Sequence, residues 1–279
     1  MKTAVSLSEL RALRTELPGP VGFVPTMGFL HQGHLSLAQA ARAECASVIA
    51  SIFVNPTQFS PTEDLAAYPR DLPRDLQMLE NVGVNLVWTP TPEVMYPAGF
   101  QTWVTVEEIT QLLEGSMRPG HFRGVATVVA KLFNAVLPDK AYFGQKDAQQ
   151  AAVIRQMARD LNFPVDVVVC PIVREPDGLA MSSRNTYLNP AERQAATVLY
   201  RSLSKAIASY QAGERNADTL RQLVTSVIQA EPLARLQYIS CADADTLQEI
   251  SGNIKQRALL SMAVFIGKTR LIDNLVLEN

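Results

Sequence analysis

Two of the chain's three histidines stand three residues apart, in Pro25-Thr26-Met27-Gly28-Phe29-Leu30-His31-Gln32-Gly33-His34. The apolar run Val21-Gly22-Phe23-Val24 before them reads as a buried strand. Leu35-Ser36-Leu37-Ala38-Gln39-Ala40-Ala41-Arg42 after them reads as a helix. Residues i and i+3 share one face of a helical turn. Two imidazoles there, beside the free N–H groups and positive end of a helix, can donate hydrogen bonds to phosphate oxygens. Such bonds tighten as a five-coordinate phosphorus forms, which stabilises the transition state. Gly28 and Gly33 let backbone approach a ligand closely. The same histidines can instead simply cap the helix. A metal site would need a third ligand, and none is evident.

Three further segments repeat the theme of polar groups at strand ends. In Phe143-Gly144-Gln145-Lys146-Asp147, followed by Gln149-Gln150, a short strand meets a glycine and then a helix. Lys146 would bring a compact positive charge to the carboxyl edge of a sheet, while Asp147 could cap the helix. Met181-Ser182-Ser183-Arg184-Asn185 is a hydroxyl-rich loop whose arginine could clamp phosphate oxygens. It is equally an ordinary serine-rich turn. Phe53-Val54-Asn55-Pro56-Thr57-Gln58-Phe59 ends another strand, and Gln58 could bind a carboxylate or hydroxyl or be a plain turn residue. His121, in Arg118-Pro119-Gly120-His121-Phe122-Arg123-Gly124, either faces a substrate carboxylate or shapes its loop.

The elements that must hold these groups follow from the apolar pattern. Strands are expected near residues 21–24, 47–54, 84–88, 141–143 and 165–170, with helices near 35–45, 71–82, 124–137 and 147–160. Apolar strands alternating with helices predict a parallel sheet covered on both faces. After about residue 175 the rhythm changes. Asn189-Pro190 opens one long helix expected to reach Tyr210, a second covers about 217–230, and strands near 236–240, 259–266 and 270–275 follow. Gly267-Lys268-Thr269 reads as a hairpin turn. The expected architecture is α/β: a parallel-sheet domain over 1–175 and a smaller α+β domain over 176–279.

A chain of 279 residues with 47% hydrophobic and 19% charged content can bury a substantial core, and its net charge of −2 offers no basic field for nucleic acid. No run approaches the roughly 18 apolar residues of a membrane span. The N-terminal segment lacks the apolar stretch of a secretory signal. Cys45, Cys170 and Cys241 lack CxxC spacing and read as free thiols. A cytoplasmic location is expected.

Taken together, the segments resemble the pantoate–β-alanine ligase family, within the His-x-Gly-His nucleotidylyltransferase superfamily. The resemblance rests on residues 25–34, on Ser51-Ile52-Phe53-Val54-Asn55-Pro56 with Gln58-Phe59, on Asp64-Leu65 with Tyr68-Pro69-Arg70, and on residues 118–125. It continues through Phe143-Gly144-x-Lys146-Asp147, Gln149-Gln150 and residues 177–185, and more loosely through Arg270-Leu271-Ile272-Asp273-Asn274. Gln145 stands where the family often has glutamate, and Ala148 where it often has an aromatic residue. The resemblance implies a Rossmann-like first domain, a second domain acting as a lid, a homodimer, and ATP as co-substrate with Mg²⁺. It implies two steps: the carboxylate of pantoate attacks the α-phosphorus of ATP, then β-alanine attacks the adenylate. Met27, Gly28, His31, Gly33, His34, Gly144, Gln145, Lys146, Asp147, Val173, Met181, Ser182, Ser183 and Arg184 would contact ATP. His34 would be the proton-donor position, with His31, Lys146 and Arg184 also compensating charge. Gln58 and Gln150 would hold pantoate. A nucleotidylyltransferase whose product keeps AMP is the alternative; a tRNA-charging enzyme and a binding module fit less well.

Overall fold

A computed structural model describes residues 1–60 and 63–278. They form two compact units, Met1–Pro171 and Ile172–Asn279. The division falls after Pro171 rather than after residue 175, so Val173 belongs to the second unit.

The first unit runs β1 (Lys2–Ala4), α1 (Leu7–Thr15), β2 (Val21–Thr26), α2 (Gln32–Glu44), β3 (Ser47–Ile52), α3 (Leu72–Asn81), β4 (Leu86–Trp88), α4 (Pro92–Met95), α5 (Leu113–Met117), α6 (His121–Val136), β5 (Lys140–Gly144), α7 (Ala148–Asp160) and β6 (Asp166–Cys170). The six strands make one sheet in the order β1-β4-β3-β2-β5-β6, every pair parallel. Alternate side chains serve opposite faces. Phe23, Ile49 and Phe143 pack with Leu10 of α1, Phe133 of α6 and Met157 of α7. Val24, Val48 and Tyr142 pack with Ala38 and Ala41 of α2 and Leu79 of α3. Burial on both faces is why these strands read as continuous apolar runs. Gly22 on β2 permits α2 to sit close: a Cβ there would stand 3.0 Å from Ala41 Cβ and Cys45 Sγ.

The chain leaves β2 through α2 toward β3 on one side, while β5 flanks β2 on the other. The connections therefore diverge at the carboxyl ends of β2 and β5. Such a switch point opens the crevice in which α/β sheets bind ligands. The turn after β2 carries the two histidines, and the turn after β5 carries Lys146.

The second unit contains α8 (Pro190–Ala195), α9 (Val198–Gln211), α10 (Ala217–Gln229), β7 (Ala234–Asp243), β8 (Ala258–Ile266) and β9 (Thr269–Leu277). The strands form an antiparallel sheet ordered β7-β8-β9. Leu199 and Leu203 of α9, Val224 and Ile228 of α10, and Leu260, Met262 and Val264 of β8 fill its core. This is the smaller α+β unit expected in addition to a Rossmann-like sheet. The single long helix expected from Pro190 is two helices. Thr197 Oγ1 donates to Gln194 O (2.8 Å), and the N–H of Thr197 also bonds Gln194 O (3.3 Å), three residues back instead of four. That tightening interrupts the α-helical ladder. The β8–β9 hairpin closes on two residues, Gly267 and Lys268, because Thr269 already pairs with Ile266.

β1 and α1 did not emerge from the apolar pattern. The helix start was nevertheless written in Ser6-x-x-Glu9: Ser6 Oγ accepts the Glu9 N–H (3.2 Å) and Glu9 Oε2 accepts the Ser6 N–H (2.9 Å), a capping box.

Candidate active site

The turn between β2 and α2 uses its hydrogen-bond donors internally. The Gly28 N–H donates to Thr26 Oγ1 (3.2 Å), itself a donor to Ser51 O (2.8 Å). The N–H groups of Phe29 and Leu30 donate to the two carboxylate oxygens of Asp75 on α3, at 2.7 and 2.8 Å. The His31 N–H donates to His34 Nδ1 (3.3 Å), the Gly33 N–H to His31 Nδ1 (3.1 Å), and the His34 N–H to His31 O (2.9 Å). The free N–H groups expected from the sequence are therefore occupied at Gly28, Phe29, Leu30, His31, Gly33 and His34. The histidines do cap the helix, in a reciprocal box.

That capping fixes their chemistry. An Nδ1 that accepts a backbone N–H carries no proton, so each neutral ring holds its hydrogen on Nε2. The ring centroids lie 4.1 Å apart. Burial, then the charge of Lys146, pushes His31 down to about 4; burial, then His31 and Lys146, pushes His34 down to about 3. Both rings are neutral at pH 7. This corrects the expectation that they supply positive charge: they present two Nε2–H donors, and the cationic part falls to lysine and arginine.

Gly144 ends β5, and a Cβ there would meet nothing within 4 Å, so its packing inside the protein does not call for glycine. Gln145, Lys146 and Asp147 form a short 3₁₀ turn, with Lys146 Nζ 3.7 Å from Asp147 Oδ1. Asp147 sits at the N-cap of α7, yet its side chain makes no capping bond. Gln150 is half-buried on the first turn of α7. Its neighbour Gln149 is committed to structure: it accepts the Glu114 N–H (2.8 Å) and donates to Ile109 O (2.9 Å) and Leu112 O (2.8 Å).

Gln58 lies at the end of a 3₁₀ turn after β3, and its amide is held on both sides. Nε2 donates to Met27 Sδ (2.9 Å), and Oε1 accepts from Asn55 Nδ2 (3.1 Å). Asn55, fully buried, also donates to Gly124 O and accepts from Thr57 and the Tyr96 hydroxyl. The contact with Met27 ties this turn to the histidine turn. α6 presses directly beneath it: a Cβ on Gly124 would come within 2.6 Å of the Thr57 carbonyl carbon and 2.8 Å of Gln58 N. His121 takes the structural of its two expected roles. Its Nδ1 bonds Gln58 O (2.8 Å) and its Nε2 bonds Arg118 Nη1 (3.1 Å), while Arg118 pairs with Glu63.

Within the second unit the remaining predicted residues also come together. The Met181 N–H donates to Val173 O (3.0 Å), Ser182 Oγ accepts the Arg184 N–H (3.3 Å), and Ser183 is buried and starts a 3₁₀ turn. Arg174 anchors the segment entering this loop, where it pairs across to Ala180 in an isolated antiparallel bridge. It makes a two-pronged ion pair with buried Asp273 on β9 (2.7 and 2.9 Å), donates to Gly178 O (3.0 Å) and lies over the Tyr200 ring at 4.7 Å.

Several of these supports escaped the sequence reading. Asp75 sits in an ordinary amphipathic helix, where a first-turn acid is common. Arg174 and Asp273 are far apart in sequence. Asn55, inside the Gln58 segment, and Asp273, inside Arg270–Asn274, stood in segments already singled out, though neither showed its partner there.

A parallel sheet with paired histidines at its switch point defines an α/β protein with a ligand-binding crevice of the doubly wound kind. A family model described as Pantoate-beta-alanine ligase matches residues 1–276. Pantothenate synthetases of Roseiflexus castenholzii and Roseiflexus sp. (strain RS-1) are 60% and 61% identical to the chain over 278 residues, covering 100% of both partners in each case. The crystal structure of pantothenate synthetase from Thermus thermophilus superposes with a TM-score of 0.93 at 49% identity, covering 99% of each chain. Pantoate-beta-alanine ligase from Francisella tularensis, complexed with beta-gamma ATP and beta-alanine, gives 0.81 at 36% identity, covering 99% of this chain and 97% of that one. The chain belongs to the pantoate–beta-alanine ligase family and is a ligase.

Proposed function

We propose that the chain condenses (R)-pantoate with β-alanine through a pantoyl adenylate, consuming ATP and releasing AMP and pyrophosphate. The observation that carries this reading is the pair of Nε2–H donors on His31 and His34 at the sheet's switch point, beside Lys146. A pantoate carboxylate oxygen bonds to the α-phosphorus as the bond to the β-phosphate oxygen breaks, and pyrophosphate departs with that electron pair. The step needs positioning and charge neutralisation more than a protein nucleophile. His31 and His34 donate to phosphate oxygens on which charge grows, and Lys146 and Arg184 balance that charge. His34 donates a hydrogen bond as a neutral ring and transfers no proton. Met27, Gly28, Gly33, Gly144, Gln145, Asp147, Val173, Met181, Ser182 and Ser183 shape the ATP site.

In the second step the β-alanine nitrogen bonds to the acyl carbon, AMP leaves with the electron pair of the broken C–O bond, and the amine gives up a proton. Gln58 and Gln150 hold pantoate through their amides, with Gln58 also reaching β-alanine. The second unit serves as a lid that keeps water from the adenylate. Among the described residues no group of three or more His, Cys, Asp or Glu is arranged to hold a metal ion. Mg²⁺ would arrive with ATP, bound through phosphate oxygens, and would supply charge neutralisation there. A homodimer working in the cytoplasm completes the reading; among the described residues no helix is long and apolar enough to cross a membrane.

The test mixes the protein with ATP, Mg²⁺ and pantoate, with and without β-alanine, and follows products by mass spectrometry. AMP and pantothenate rising one-for-one only with β-alanine support the ligase. A stable adenylylated product with no amide overturns it in favour of a nucleotidylyltransferase.

A further inference from the structure

Asp75 is almost fully buried, 1% exposed, in the first turn of α3. Its two oxygens accept the consecutive N–H groups of Phe29 and Leu30 at 2.7 and 2.8 Å. The backbone there is unusual. Gly28 has φ +82° and Phe29, which is not glycine, has φ +49°. A large side chain keeps a left-handed conformation only where its surroundings hold it there. Leu30 is itself buried, so its N–H has no water to turn to. The Arg74 guanidinium stands 3.7 Å from Asp75 and lies over the Phe29 ring at 5.4 Å, tightening the same clamp. The next residue is His31.

A carboxylate thus sits where the backbone of a phosphate-binding turn would otherwise meet a phosphate oxygen. It takes those donors out of ligand recognition and uses them to fix the turn. Recognition then depends on imidazoles whose positions the turn dictates.

We propose that Asp75 is a positioning residue for the adenylation step, holding the left-handed turn from which His31 projects and so placing both Nε2–H groups. This rests on the reading that His31 and His34 act at the α-phosphate. An asparagine at 75 keeps the volume but can accept only one of the two N–H groups, and its own NH₂ opposes the other.

The experiment compares wild type, Asp75→Asn, His34→Ala and the double variant. It measures pantoate-dependent pyrophosphate release, the KM for ATP and the thermal midpoint. Asp75→Asn is expected to lower kcat on the order of tenfold or more with a much smaller change in ATP KM. In the His34→Ala background the same substitution should cost less than about threefold, because residues acting through one another are not additive. A purely structural role would lower the thermal midpoint and multiply equally through both backgrounds. That result, or an unchanged kcat, overturns the proposal. If Asp75→Asn does not fold, Gly28→Ala applies the same cycle: φ is +82° and the new Cβ would stand 3.0 Å from Asp75 Oδ2. If His34→Ala keeps full kcat, the reading of the histidines has failed, and this proposal fails with it. Loss in His34→Ala with none in Asp75→Asn rejects Asp75 alone.

Discussion

His31 and His34 cap each other: the N–H of His31 ends on His34 Nδ1, and His31 Nδ1 takes the N–H of Gly33 within the same first turn. Adding a proton to either Nδ1 would set it against a backbone donor.

The pH dependence follows with a definite sign. Both folded pKa values, about 4 and about 3, lie below the ordinary 6.5. From about pH 6.5 down to about 4 at His31 and about 3 at His34, the unfolded chain binds protons that the folded chain refuses, so these groups lose stability as pH falls and contribute no slope above about 7. The adenylation kcat should likewise show no loss as pH rises through 6.5. A pH profile of pyrophosphate release with thermal melts at each pH checks this. A decline centred near 6.5 on the alkaline side would mean that an imidazolium does the work.

Gln58 is clamped by Asn55 and Met27, so its amide is held in a set orientation for the proposed contact with pantoate. Gln58→Ala should raise the KM for pantoate and β-alanine while ATP KM stays nearly constant. Asn55→Ala should reproduce that pattern and also lower stability by about 2 kcal/mol, since it strands several buried partners. Steady-state kinetics varying each substrate in turn, with denaturant melts, separate the two. Unchanged kinetics for both acids would remove Gln58 from the site.

Gly124 offers a contest between two effects of opposite sign. In a helix interior, glycine to alanine ordinarily stabilises by about 1 kcal/mol. Here the added methyl meets the backbone of Thr57 and Gln58, which has no flexible end to swing away. Overpacking of about 1–3 kcal/mol should win. Gly124→Ala is expected to melt lower and to use pantoate poorly; a higher melting point would show that the turn bearing Gln58 yields easily.

Asp273→Asn leaves Arg174 facing a neutral amide in a mostly buried place. Removing one partner of such a pair costs about 3 kcal/mol or more. The loop that begins at Arg174 carries Ser182 and Arg184, so ATP KM should rise along with the loss in stability. Calorimetry and ATP titration of initial rates test both parts.

Sequence spacing revealed most of the sheet because β2, β3 and β5 are buried on both faces and carry apolar runs, while the edge strand β6, only partly buried, still shows one in Val167-Val168-Val169. β1 escaped because three residues, two of them exposed, leave no such run. His31, His34, Lys146 and Gln58 announced themselves through local spacing at strand ends. Asp75 and the Arg174–Asp273 pair did not, since each acts across a distance in the chain that no local pattern records. Even at the histidines, spacing gave the donors but not their charge: only the buried cap shows that both rings are neutral.

Gly22 gives the far end of α2 a say in the chemistry. With no side chain at 22, Ala41 and Cys45 rest against the sheet, and the thirteen residues of α2, Gln32–Glu44, form a rigid lever about 20 Å long. A methyl group slipped beneath one end would tilt the other, where His34 sits. The position of the turn that carries His31 and His34 therefore depends on the close approach of Ala41 and Cys45 to a stretch of sheet that bears no side chain.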